Sequence, residues 1–232
     1  MKKISKRLQE EKKKINKTFI YNLNDGIMLV KQTASAKFNE SIEAHISLNI
    51  DPKYADQQLR TTVLLPNGTG KKLIIAALVS AEKILDAKES GADIFGSQDL
   101  IDQISKGILN FDLLISTADM MPKLAKLGKI LGPKGLMPSP KAGTVTSNLK
   151  AAIEEFKKGK LEYRADKTGI VHISFGKANF SEQQLRENLI GFYNSVEINK
   201  PLGVKGKYIK TFSICSTMGP AIHLDHQSLL GV

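Results

Sequence analysis

LIIAALVSAEKILDAKESGADIFG, Leu73 to Gly96, changes rhythm twice in 24 residues. Leu73 to Ser80 is almost wholly apolar, as expected of a short strand covered on both faces. Ala81 to Gly91 is a short amphipathic segment that stops at a glycine, and Ala92 to Gly96 starts a second apolar run. QDLIDQISKG (98–107) and DLLISTA (112–118) continue the alternation of acid-led helix and short strand. The pattern predicts an α/β unit with a small parallel sheet and short connections. Met120 to Gly132 predicts a helix with Leu124, Leu127 and Leu131 on one side. Asn148 to Gly159 predicts another, with Ala152, Ile153 and Phe156 inward and the glycine ending the unit.

Outside this stretch the period is different. In SIEAHISLNID (41–51) Ile42, Ala44, Ile46, Leu48 and Ile50 alternate with polar residues, the period of a half-buried strand. LRTTVLLP (59–66) predicts a second strand ending before Asn67-Gly68, and KLEYRADKTGIVHISFG (160–176) predicts two strands around a turn at Asp166 to Gly169. Ser181 caps a predicted helix that buries Leu185, Leu189 and Phe192, and YIKTFSICST (208–217) is the last predicted strand. Near the start, Asn24 or Asp25 caps a predicted helix over Gly26 to Ser35, and the lysine-rich residues 1–17 form a solvated helix or an arm that orders on contact. The two rhythms predict a discontinuous α+β domain, 1–66 plus 160–232, with an α/β domain, 67–159, inserted into it. Two sequential domains are the alternative.

The chain has 232 residues, 41% of them hydrophobic, enough for a sizeable core. Its formal charge of +11 points to a phosphate-rich partner or an anionic surface, because lysines that meet phosphates release counterions. KLGKILGPKGLMPSPKAGTVT (126–146) adds a proline- and glycine-shaped basic loop without one acid, which cannot be a regular helix or a central strand. No apolar run has the length of a membrane span and the start lacks the core of a signal peptide, so a soluble protein is expected. A single cysteine, Cys215, excludes an internal disulfide framework and reads as a core thiol.

Catalytic patterns fail one by one. PNGTGKK (66–72) has Lys72 where a P-loop needs serine or threonine, so the magnesium hydroxyl is missing, and Leu73 stands where the dinucleotide fingerprint needs its third glycine. Cys215, His223 and His226 match no standard zinc spacing, and no metal is expected. The carboxylate pairs Asp112 with Asp119 and Glu154 with Glu155 lack an acid-base partner. No enzyme and no cofactor is expected. His45 and His172 fall on the polar phases of their strands, facing solvent or nucleic acid.

For RNA the contact types are better. Lys37 beside Phe38 sets a phosphate ligand next to a ring, with a core Phe38 as the alternative. In STMGP (216–220), Ser216 and Thr217 offer hydroxyls, Met218 an adaptable apolar surface and Gly219 a backbone that can approach a sugar closely. No predicted helix is strongly basic on one face, which favours shape recognition of folded RNA over major-groove reading of DNA.

Four phrases in order, AKFNESIEAHISLNIDPKYADQQLR (36–60), LGKILGPKGLMPSPKAGTVT (127–146), YRADKTGIVHISFGK (163–177) and CSTMGP (215–220), closely resemble the bacterial-type large-subunit ribosomal L1 family. DPKYADQQLR is similar to its cyanobacterial and chloroplast branch. The resemblance implies that the inserted domain is Rossmann-like and that the split domain binds large-subunit rRNA at the L1 stalk. It implies a mechanical role in moving and releasing exit-site tRNA, with repression of the protein's own operon mRNA as the alternative function. A monomer when free is implied, without membrane association, on ribosomes of a plastid stroma or a bacterial cytoplasm. By motif, Phe38, Thr217, Met218 and Gly219 are the implied rRNA contacts, with Lys37 on the backbone beside Phe38 and Ser216 in the same turn. Thr217 would bond ribose or phosphate, and Met218 would pack on a sugar-base edge. Lys167, Thr168, Thr211 and Ser213 form the implied rim. Lys134 and Lys141 move from main binder to secondary stalk or tRNA contact.

Overall fold

The computed structural model describes residues 5–16, 18–204, 206–225 and 227. His226 lies outside them. The chain divides into two compact units, residues 1–70 with 161–232 and residues 71–160.

The first unit starts with helix α1, Lys6–Lys13, capped by the Ser5 side chain. Lys12 and Lys13 sit in its last turn, where cations meet the negative end of the helix dipole. Helix α2, Leu23–Thr33, begins three residues earlier than predicted, with Asn22 as its N-cap. Asp25 therefore lies in the first turn, a favourable place for an acid. Leu23, Gly26, Ile27, Val30 and Thr33 form its buried stripe. Gly26 is a packing requirement, since a Cβ there would stand 2.2 Å from a Leu224 methyl carbon. Strand β1, Ser41–Leu48, buries every second residue as predicted, and β2 spans Arg60–Leu64.

The second unit holds β3 (Ile75–Leu78), α3 (Ile84–Glu89), β4 (Ile94–Gly96), α4 (Gln98–Ser105) and β5 (Leu113–Ser116). Its three strands lie parallel in the order β4-β3-β5. Every β3 residue is buried, because successive side chains enter opposite cores. Ala76 and Leu78 meet Leu100 and Ile104 of α4, whereas Ile75 and Ala77 meet Ile153 and Phe156 of α7, Leu149–Lys158. The single helix predicted over 120–132 is broken into α5, Met121–Ala125, and α6, Gly128–Leu131. Leu127 and Ile130 donate to carbonyls three residues back, which tightens the chain at the break, yet Leu124, Leu127 and Leu131 all remain buried. α6 lies inside the basic stretch 126–146 that was expected to hold no regular helix; beyond it the loop makes a 3-10 turn at Pro140–Ala142, then Val145 forms an isolated parallel bridge to Ser116.

The chain returns to the first unit through β6 (Lys160–Arg164), β7 (Ile170–Lys177), α8 (Glu182–Ile198), β8 (Ile209–Ser216) and β9 (Ile222–Leu224). The predicted hairpin opens after one bridge, Ala165 to Val171. β6 pairs with β2, whereas β7 joins an antiparallel sheet of order β7-β1-β8-β9. Strand β9 was not predicted; the Tyr21 N–H donates to its His223 carbonyl at 2.9 Å. α8 carries the full capping box at Ser181 and Gln184. Helices α2 and α8 cover one face of the sheet, where Ile46, Phe175, Phe192 and Phe212 are buried in one core. Truncating such a phenylalanine to alanine costs about 3–5 kcal/mol. Asn188 of α8 donates to the carbonyls of Gly68 and Phe175, both at 2.8 Å, and accepts from the Asn67 N–H at 2.9 Å. PNGTGKK thus begins as a turn tied to a helix by hydrogen bonds to a side-chain amide, and its two glycines take positive φ.

Candidate nucleic-acid interface

The sheet face away from α2 and α8 is open. It carries the polar phases of its strands, including Glu43, His45 and Ser47 of β1, His172 of β7, and Thr211, Ser213 and Cys215 of β8. One register row crosses all four strands: His172 opposite His45, His45 opposite Ser213, and Ser213 opposite His223.

At one end of this face two loops meet. The first, residues 34–40, connects α2 to β1 and carries Lys37 and Phe38; the second follows β8 and carries Thr217, Met218 and Gly219. Phe38 is 54% exposed and Met218 50%, so neither belongs to the core. They are two of several exposed large apolar side chains, Phe19, Leu85 and Leu202 among the others, and are set apart by lying beside an exposed lysine on two loops that meet.

Glu40 joins these loops from beneath. Its buried carboxylate accepts from the Ala36 N–H at 2.8 Å and from the Met218 N–H at 2.9 Å. Burial raises its pKa, but the Ala36 and Met218 N–H groups, the Ser216 hydroxyl and the Arg7 guanidinium outweigh that effect and hold it below the ordinary carboxylate range. Arg7 of α1 also donates to the Met218 carbonyl at 3.0 Å and to the Ser35 hydroxyl at 3.2 Å. Arg7 therefore braces both loops.

The implied contacts divide by position. Lys37, Phe38, Thr217, Met218 and Gly219 are brought together. Thr217 grips the start of β1: its hydroxyl accepts from the Ser41 N–H at 3.0 Å and donates to the Ser41 carbonyl at 3.1 Å. The hydroxyl proton is thus used within the fold. Ser216 is buried and lies under the turn rather than on it. A Cβ at Gly219 would stand 2.4 Å from the Ser216 hydroxyl, so a side chain there requires Ser216 to shift. Lys167, Thr168 and Thr211 lie at the opposite end of β1, about 20 Å away at 3.3 Å per residue. Ser213 lies between the two groups.

At that far end Asp166 shapes its own turn. Its carboxylate accepts from the N–H groups of Thr168 and Ile170 and from the Thr168 hydroxyl. The Ile170 N–H and the Thr168 hydroxyl lower its pKa to about 2. Midway, His45 Nδ1 stands 2.8 Å from His172 Nδ1, and His45 Nε2 stands 3.2 Å from Cys215 Sγ. Burial and the neighbouring His172 lower the His45 pKa, and burial pushes the Cys215 thiol up to about 11. Cys215 is half-buried beneath the open face rather than deep in the core. In the second unit Lys134 and Lys141 are both exposed on the basic loop.

Sequence reasoning missed Glu40 and Arg7, and nothing in their local spacing announces either. The histidine row was half legible, because period two placed His45 and His172 on the polar phase.

Residues 30–220 match the model of the ribosomal protein L1p/L10e family. The chain is 60% identical to the large ribosomal subunit protein uL1c of Phaeodactylum tricornutum, across 97% of this chain and 98% of that one. It is 62% identical to uL1c of Guillardia theta, across 97% and 96%. With the large ribosomal subunit protein uL1 of Prochlorococcus marinus it shares 57% identity across 99% and 97%.

Proposed function

Because this chain belongs to the ribosomal protein L1p/L10e family, we propose that it binds rRNA at the L1 stalk through the platform made by its two tethered loops. It is a structural protein of the large ribosomal subunit and not an enzyme. The observation that carries the platform reading is the buried Glu40, which fixes the Lys37–Phe38 loop and the Thr217–Gly219 turn to one another while leaving their outer groups in solvent.

In this reading Phe38 presses on a sugar or base and Lys37 meets the adjoining phosphate. Met218 packs on a sugar-base edge, and the bare Gly219 backbone lets the RNA approach. Thr217 holds the turn to β1 and offers RNA its remaining lone pair. Ser213 and the rim of Lys167, Thr168 and Thr211 engage the RNA further along the open sheet face. Ser216 lies buried under the turn, not on its outer surface.

The discontinuous unit is then the rRNA-binding domain, and residues 71–160 form an inserted Rossmann-like domain. The parallel three-stranded sheet with helices on both faces supports that description. The exposed Lys134 and Lys141 give the second unit a secondary contact for stalk RNA or exit-site tRNA. An operon message that reproduces the shape of the rRNA element would occupy the same platform. The likeness to uL1c and uL1 supports a place on ribosomes of a plastid or a bacterial cytoplasm. Among the described residues no helix is long and apolar enough to cross a membrane.

The test is salt-dependent binding of the chain to isolated L1-stalk RNA against an unrelated structured RNA of equal length. A preference of at least about tenfold with a measurable salt slope is expected. Equal, weak binding to both would leave only generic electrostatics and overturn the platform.

A further inference from the structure

We infer that Glu43, His45 and Cys215 form a binding site for a divalent cation of the zinc class on the open face of the four-stranded sheet. Glu43 and His45 are two residues apart on β1 and so share a face, and Cys215 stands directly opposite Glu43 on β8. Their ligand atoms all lie within 4.8 Å of one another. His45 Nε2 is 3.2 Å from Cys215 Sγ and 4.0 Å from Glu43 Oε2. A tetrahedral ion with bonds of 2.0–2.3 Å separates its ligand atoms by roughly 3.5 Å, so small side-chain rotations bring the trio onto one ion.

The donor set selects the metal. A thiolate, an imidazole and one carboxylate suit zinc or cobalt, whereas magnesium and calcium require shells built from oxygen. The neighbouring histidine is placed to support the tautomer that metal binding needs. Of the two Nδ1 atoms that meet at 2.8 Å, one must donate and the other accept. An ion on His45 Nε2 requires the proton of that ring to sit on Nδ1, where His172 Nδ1 stands at 2.8 Å to accept it. His172 Nδ1 is then the acceptor and His45 Nδ1 the donor. That leaves the Nε2 lone pair of His45 aimed at Cys215, the arrangement of metal-bound histidines whose second nitrogen is held by a hydrogen bond.

Without the cation, one proton lies between Cys215 Sγ and His45 Nε2 at 3.2 Å. On binding, that proton leaves to solvent and the ion bonds to Sγ, Nε2 and Oε2, with water in the fourth position. No oxidation state changes. All three residues are half-buried, so the site is sheltered yet reachable. Cation binding by this trio does not depend on whether RNA docks on the same face.

Titrating the reduced full-length chain with Co2+ alone tests the site. A thiolate-to-cobalt charge-transfer band saturating at one ion per chain is expected. Cys215→Ser should abolish the band, and His45→Asn should weaken binding at least about tenfold. No band in the unaltered chain, or a band that survives Cys215→Ser, would overturn the site. A second measurement needs no variant: Zn2+ should slow alkylation of Cys215 by iodoacetamide about tenfold, since the ion consumes the thiolate lone pair. An unchanged alkylation rate would equally overturn it.

Discussion

The carboxylate of Glu40 accepts the backbone N–H of Met218 at 2.9 Å, across 178 positions of sequence. The same carboxylate accepts the Ala36 N–H, so one buried charge sets the spacing between the loop that carries Phe38 and the turn that carries Met218. Glu40→Gln keeps the shape but turns an NH2 group toward one of the two N–H donors, leaving that donor unsatisfied. The expected cost is about 1–3 kcal/mol in stability, with a loss of stalk-RNA affinity larger than the loss of fold. The sign of its pH dependence follows from its lowered pKa. The stabilisation is present above the ordinary carboxylate range and is lost as pH falls through the folded-state value. Urea unfolding and RNA binding, both followed in the variant, check the two halves; unchanged RNA affinity would remove Glu40 from the platform.

Met218 provides a test of the surface itself. Its side chain is half exposed, so Met218→Asp leaves the core intact and sets an unpaired negative charge against phosphate. Affinity for stalk RNA should fall by more than about tenfold while the chain still folds, because the replaced side chain is half exposed and the Met218 N–H to Glu40 belongs to the backbone. Retained affinity would show that the RNA docks elsewhere.

Replacing both Lys134 and Lys141 with glutamine separates the two units by function. The lysines are exposed in the second unit, while the platform belongs to the first. Any contact with exit-site tRNA should weaken more than stalk-RNA affinity, which should hold. A filter-binding comparison of the two RNAs reads both, and an equal loss in both would place the basic loop in the main site.

Period and composition made much of this legible because they report local burial. The alternation in SIEAHISLNID became β1 over its first eight residues, the strand stopping at Leu48 short of Ile50, and the apolar run before Ser80 became the central strand of a parallel sheet. Pairing was less readable. The turn at Asp166 formed, but β6 left β7 for β2, a partner about 100 residues away that no local pattern names. The three residues of β9 are too few to show a period. In the site, the exposed Phe38 and Met218 could be singled out by type and by resemblance. Glu40 could not, because a carboxylate that works through burial looks in sequence like any surface acid. The juxtaposition of His45 with Cys215 spans 170 positions and exists only once β1 and β8 have paired.

Asp166 gives a prediction that depends on pH. Its carboxylate organises the turn carrying Lys167 and Thr168, and its pKa falls from the ordinary 3.8 to about 2, led by the Ile170 N–H and the Thr168 hydroxyl. A group with a depressed folded-state pKa stabilises the fold above its unfolded value and loses that contribution as pH drops to the folded one. The turn should therefore hold at pH 5 and loosen between roughly pH 4 and pH 2. Amide hydrogen exchange at Thr168 and Ile170, whose N–H groups point at the carboxylate, reads this directly. Asp166→Asn can keep the amide acceptor but not the charge, so its protection at these amides should be lower at pH 5 and nearly flat on acidification. If the two proteins show parallel pH profiles at both amides, the turn is held by its backbone alone, and Lys167 and Thr168 owe their position to the strands on either side.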